Sequence, residues 1–188
     1  MRSTVIAALC SLLVVPVALP AQVATPRLDS IARRIVAAAK YATFVTVDAA
    51  GRPQVRTVQP RTPGADWMVW FATNPRTRKV QEVTRRASVA LHYFDPVTES
   101  YVAITGRARV VRDRATRDAH WDPAWTAFYP DRDKGVVLIG VEAERIEVVS
   151  PRLGVDSDAT TWRPQAFAPK PLVPKSKRDT MRSVPRHP

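Results

Sequence analysis

Between Trp67 and Lys79 the chain changes character within a few residues, and that change limits the folds open to it. Trp67 to Thr73 is a dense apolar run, the pattern of a strand buried on both faces. Asn74-Pro75 then breaks it. Asn is a good N-cap and Pro suits the first helical position, so a short helix is predicted through Lys79, Val80 and Val83 to about Arg85. A buried strand that empties directly into a short helix needs a sheet on one side and a covering layer on the other.

The rest of the chain supplies both. Asp29 and Ser30 are predicted to cap a helix running to about Lys40, with Leu28, Ile31, Ala32, Ile35 and Ala39 on one face. Thr43 to Val47 and Gln54 to Gln59 read as strands around an Asp48-Ala49-Ala50-Gly51 turn. Further strands are expected at Ser88 to Phe94, Ser100 to Val111 and Val136 to Val149, the last with a possible kink at Gly140. Asp113 is placed to cap a helix through Ala115, Ala119 and Trp125. Six short strands with three inserted helices do not alternate as a doubly wound sheet does. They predict a mainly β, six-stranded antiparallel barrel with peripheral helices.

The termini read differently from this centre. Arg2 followed by the apolar run Val5 to Leu19 and by Leu19-Pro20-Ala21 has the form of a signal peptide, residues 1–21, giving a secreted or periplasmic protein that starts at Gln22. The run is too short for a comfortable membrane span, so no membrane attachment is expected after cleavage. Cys10, the one cysteine, leaves with the signal, and disulfides, thiol catalysis and cysteine metal sites leave with it. At the other end, residues 163–188 carry six prolines and the run Lys175-Ser176-Lys177-Arg178, which predicts a disordered basic tail behind a domain at 22–162. That tail holds half of the formal net charge of +12, so the charge is not gathered on one face of the fold as a nucleic-acid binder requires.

Two segments carry candidate chemistry. At Thr73-Asn74-Pro75-Arg76-Thr77-Arg78-Lys79, a helix start offers free N–H groups and a positive dipole end, two hydroxyls, and two cations, which suits a phosphate monoester. The same residues can equally form a solvated basic helix face beside Arg85 and Arg86. Upstream, Arg56 and Arg61 are five apart and would point to opposite faces of a regular strand, so they reach one ligand only if the strand bends, as Pro60 allows. Taken alone they read as surface arginines on an edge strand. His92, His120 and His187 are scattered and propose no metal site; Glu142, Glu144 and Glu147 read as solvated. Trp121, Trp125, Phe128 and Tyr129 read as core or dimer packing ahead of a cofactor platform.

Taken together, the two segments resemble the pyridoxamine 5′-phosphate oxidase-like, FMN-binding split barrels. Arg-x-x-x-x-Arg at Arg56 and Arg61, then Phe-x-Thr-Asn-x-x-Thr-Arg-Lys from Phe71 to Lys79, carry the resemblance, which spans about residues 30 to 150. It implies a homodimer with FMN in grooves between subunits. By resemblance Arg56, Arg78 and Lys79 hold the phosphate, and Thr57, Val58, Ala72 and Thr73 line the flavin. Arg61 stands where a lysine near the substrate is usual, and Tyr101 replaces the glutamine of the true oxidases, as in the general-stress branch. Trp162-Arg163 only partly echoes the C-terminal Trp-plus-Arg pair of the vitamin-processing enzymes, so the resemblance implies fold and flavin but not that substrate. An FMN-dependent oxidoreductase acting on a small molecule is the expectation, with no catalytic residue named. A non-catalytic stress-type protein binding flavin, F420 or haem is the alternative.

Overall fold

The computed structural model describes residues 22–169; residues 1–21, expected to be a signal peptide, and residues 170–188 lie outside this range. Helix α1 (Thr25–Ala39) begins four residues before the expected cap. Pro26 sits at its first turn, where a fixed φ favours the helix and no N–H is wasted. Asp29 is therefore inside the helix, where its carboxylate accepts from the Trp67 indole at 2.6 Å and from Arg33 at 2.9 Å. Leu28, Ile31, Ala32, Ile35 and Val36 form the buried face of α1.

The strands are β1 (Ala42–Val47), β2 (Pro53–Val58), β3 (Met68–Thr73), β4 (Ser88–Asp95), β5 (Ser100–Val111), β6 (Val137–Val149) and β7 (Gln165–Phe167). All pairings are antiparallel, in the order β2-β1-β4-β5-β6-β3, with β7 added on β6. The β1–β2 hairpin turns at Asp48, whose Oδ1 accepts the N–H groups of Ala50 and Arg52, and Gly51 supplies the positive φ of +82°. Although β1 and β3 are well separated in the order, Phe44 and Phe71 meet edge to face at 4.9 Å. The sheet is thus coiled around a shared core as an open, split barrel, not a closed one.

Gly140 introduces no kink. It pairs regularly with Trp70, and a Cβ there would stand 2.4 Å from the Trp70 ring, so glycine serves the close approach of that indole. The irregularity of β6 lies at Glu144, which is left unpaired as the register against β5 shifts between Thr105 and Gly106. Helix α2 covers Arg78–Arg85 and α3 covers Arg114–Ala119, the latter capped by Asp113 as expected. Alpha-helix α3 stops at His120, and a separate 3₁₀ turn, Pro123–Ala127, carries Trp125.

The C-terminal boundary needs correction. Residues 165–167, expected in a disordered tail, form β7, because Phe167 finds an apolar site against Trp67 with ring centroids 6.0 Å apart and is 8% exposed. A chain ended at residue 162 is expected to melt at least ~6 °C below one ended at 169, since losing a buried Phe removes about 3 kcal/mol. Differential scanning of the two chains checks this, and equal melting temperatures would return the boundary to 162.

Candidate functional site

Strands β2 and β3 follow one another in sequence yet occupy opposite ends of the sheet order. Coiling brings them near each other, and the chain between them makes one backbone bridge, with the Arg61 N–H donating to the Trp70 carbonyl at 2.8 Å. Elsewhere the two edges part. A cavity of about 240 Å³ lies in this split, lined by Thr57, Val58 and Gln59 on one side and Ala72, Thr73 and Lys79 on the other. Tyr41, Trp125, Phe128 and Tyr129 complete the wall. Trp125 is 3% exposed and its indole donates to the Gln59 carbonyl at 3.0 Å, which ties the 3₁₀ turn to the end of β2. Phe128 is 69% exposed at the rim.

Of the cations, Lys79 lines the cavity, while Arg56 and Arg78 meet next to it at Glu82. Asn74 does not cap α2. Its side chain accepts the Arg76 N–H and its carbonyl accepts from the Thr77 N–H and hydroxyl, an Asx turn that competes with helix and delays α2 to Arg78. Thr77 becomes the N-cap with its hydroxyl turned away, so the first-turn N–H groups receive no side-chain cap. Lys79 Nζ donates to Thr73 Oγ1 at 3.0 Å, and Thr77 Oγ1 stands 3.4 Å from the same oxygen. Burial, and then the nearby Arg56, pull the Lys79 ammonium below its ordinary pKa. Burial also raises the Tyr129 phenol, while Thr73 and the Asn74 backbone beside it act in the opposite sense.

Arg56 points inward from β2 and donates to the Thr46 hydroxyl and, at 2.8 Å, to Glu82 Oε2. Glu82, on α2, also faces Arg78 at 3.3 Å. The side chain of Arg56 is 17% exposed and that of Arg78 is 69% exposed. The first is thus a fixed positive back wall, and the second is free to reach into solvent. The structure brings Thr57, Val58, Ala72, Thr73 and Lys79 to the cavity wall, and it gathers Arg56 and Arg78 on Glu82 beside it without placing either in the lining. It does not bring Arg61 or Tyr101 into the cavity of the same protomer. Arg61 is exposed at the bridge, because the chain leaves the β1 ladder after Val58. Tyr101 lies on the outer face of β5 beside His92, ring centroids 5.3 Å apart.

Sequence reasoning missed Tyr41, Gln59, Thr46 and Glu82. Only Glu82 left a signal, as the single acid in α2, one turn after Arg78. The aromatics at 125–129 divide: Trp125 serves both core and cavity wall, whereas Phe128 and Tyr129 are wall residues.

Residues 29–151 match the family model described as pyridoxamine 5′-phosphate oxidase like. The chain belongs to this family. No curated protein sequence matches it. Among solved structures, a Clostridium acetobutylicum protein related to general stress protein 26 of B. subtilis, of the pyridoxinephosphate oxidase family, superposes with a TM-score of 0.60 at 17% identity, covering 76% of this chain and 93% of that one. A haem-binding protein from Mycobacterium smegmatis gives 0.54 at 17% identity, over 73% and 56% of the two chains. An F420 reductase gives 0.50 at 20% identity, over 61% and 94%. At such identities these likenesses show the split-barrel fold. The same scaffold thus occurs with haem and with F420, so membership of the family leaves the cofactor to be argued from the site.

Proposed function

We propose that the chain binds a phosphorylated flavin, FMN, in the split between β2 and β3, and that it works as a homodimeric oxidoreductase on a small molecule. The observation that supports this best is that Lys79 and the Thr73 hydroxyl line one side of a cavity whose other walls are Val58, Ala72, Trp125 and Phe128, with Arg56 and Arg78 grouped next to Lys79 on Glu82. Cations and a hydroxyl suit a phosphate; flat apolar and aromatic walls suit a planar ring. A bound flavin supplies transfer of a hydride or electron pair at its ring. The protein's part is to grip the phosphate through Arg78, Lys79 and Thr73, to back it with Arg56, and to exclude water with Trp125 and Tyr129. Haem or F420 in the same split is the competing reading; haem offers two separate propionate carboxylates and F420 a phosphodiester, so neither brings the compact phosphate monoester dianion that closely grouped cations and a hydroxyl suit.

The homodimer is supported by the outer face of β2, β1, β4 and β5. Val55 and Phe94 are 63% and 51% exposed there, on the same face as Val45, His92, Ala103 and Tyr101. A cavity of about 240 Å³ is also smaller than the ~300–1,000 Å³ usual for ligand pockets, which fits a half-site that a second copy completes. Arg61 and Tyr101 are then the residues available to a ligand at the subunit boundary. The apolar run Val5 to Leu19 followed by Ala21 supports export, so the flavin would be captured outside the cytoplasm.

Titration of the chain from Gln22 with FMN, riboflavin, F420 and haem tests the reading. FMN is expected to bind with quenched fluorescence and riboflavin at least ~100-fold more weakly, because only FMN engages the charge-assisted bonds. Equal affinities for the two flavins would end the phosphate reading. FMN affinity is also expected to depend on pH. The second phosphate ionisation lies near pH ~6 in water and is lowered when the dianion is bound, so binding is full above pH ~7 and weakens as pH falls through ~6. Riboflavin binding over the same range should stay flat. Turnover with reduced nicotinamide or a quinone then separates an enzyme from a carrier.

A further inference from the structure

An anion-binding site that contains its own buried carboxylate is not what ligand affinity alone would select. Glu82 is 3% exposed on the inner side of α2. Its Oε2 accepts from Thr46 and from Arg56, and its Oε1 faces Arg78 Nε at 3.3 Å and, among the described residues, accepts no hydrogen bond. Arg56, Arg78 and Lys79 bring three positive charges to this corner; Glu82 removes one. What remains matches the two charges of a phosphate monoester dianion. A fixed negative charge one guanidinium away also repels that dianion, and in a buried setting such a repulsion is poorly screened.

We propose that Glu82 is a resident counter-anion of this site: it keeps Arg56 in place, competes with the ligand for Arg78 and lowers the affinity for a phosphate dianion, so that the phosphorylated ligand exchanges with solution instead of staying permanently bound. The inference rests on the phosphate reading above. Arg56 remains docked on Glu82 and Thr46 throughout, as its low exposure requires. Arg78, which among the described residues is held only through Nε and is largely in solvent, is the cation that turns from Glu82 to the ligand. Glu82 is in this sense a positioning residue that sets affinity, and the flavin behaves as cargo or co-substrate.

The test is Glu82→Gln, which keeps shape and removes charge, measured with FMN and riboflavin. FMN is expected to bind about tenfold more tightly and to dissociate correspondingly more slowly than from the wild type, the equivalent of ~1.4 kcal/mol, while riboflavin affinity is unchanged. A folded variant that binds FMN as the wild type does, or more weakly, overturns the proposal. If the wild type already fails to distinguish FMN from riboflavin, the phosphate reading itself has failed. Because Arg56 loses its buried partner, the variant should melt about 10 °C lower in sodium chloride. Inorganic phosphate at matched ionic strength should raise that melting temperature more than it raises the wild type's, by replacing the missing anion. Equal shifts in both proteins, or a variant that phosphate cannot bring to fold, would show that Glu82 is only structural.

Discussion

Gly106→Ala is expected to lower the melting temperature by ~10 °C or more and to reduce the yield of soluble protein sharply. A Cβ at this position would stand 2.0 Å from the backbone carbonyl oxygen of Glu142 and 3.1 Å from Ala143 Cα. Neither is the tip of a flexible side chain, so the strands themselves must separate. They belong to the β5–β6 ladder, the longest in the sheet, at the point where Glu144 is extra and the register shifts. Overpacking a core site usually costs 1–3 kcal/mol; here lost ladder hydrogen bonds add to it, giving about 4 kcal/mol. Gly64→Ala is the control, since its new Cβ meets only the Asp66 side chain, at 3.3 Å. Thermal melts of the two variants decide the matter: a Gly106→Ala protein as stable as Gly64→Ala would mean that the bulge lies elsewhere.

The double substitution Arg78→Ala/Lys79→Ala is expected to weaken FMN binding by about 100- to 1,000-fold and to leave riboflavin within about threefold of the wild type. Each charge-assisted hydrogen bond contributes ~1.5–3 kcal/mol, and the exposure of Arg78 puts its share at the lower end. Two such losses amount to about 3–4 kcal/mol, which sets the range. The fold should survive, because Val80 and Val83 still anchor α2 and Arg56 still pairs with Glu82. Fluorescence titration gives the affinities, and a thermal melt verifies that the variant is folded. An FMN affinity that drops in step with riboflavin would point to a collapsed cavity, and no drop at all would move the phosphate away from this corner.

Much of this architecture was legible in the sequence because it rests on interactions between near neighbours in the chain. The strand limits, the cap at Asp113 and the hairpin at Asp48 to Gly51 are local patterns of side-chain type and spacing, whereas the joint use of Arg56 and the Phe71 to Lys79 segment came from the family resemblance. Where two local signals compete, the sequence pointed the wrong way. Asn74 can cap a helix or close an Asx turn, and hydrogen bonds to Arg76 and Thr77 favour the turn. Asp29 can cap a helix too, but Pro26 begins α1 earlier and Trp67, 38 residues away, takes the carboxylate.

What the sequence by itself determined is the mainly β fold class, its order of elements and the set of cations beside a strand end. Only the tertiary structure decided that Tyr41, Gln59 and the 125–129 aromatics share one cavity with Thr73 and Lys79, that Tyr101 faces outward, that β7 extends the sheet, and that Glu82 is buried beneath the cations. The physical reason is the same in each case. Burial and charge pairing across a coiled sheet depend on register and on which edges meet, and neither quantity is encoded in any single stretch of chain.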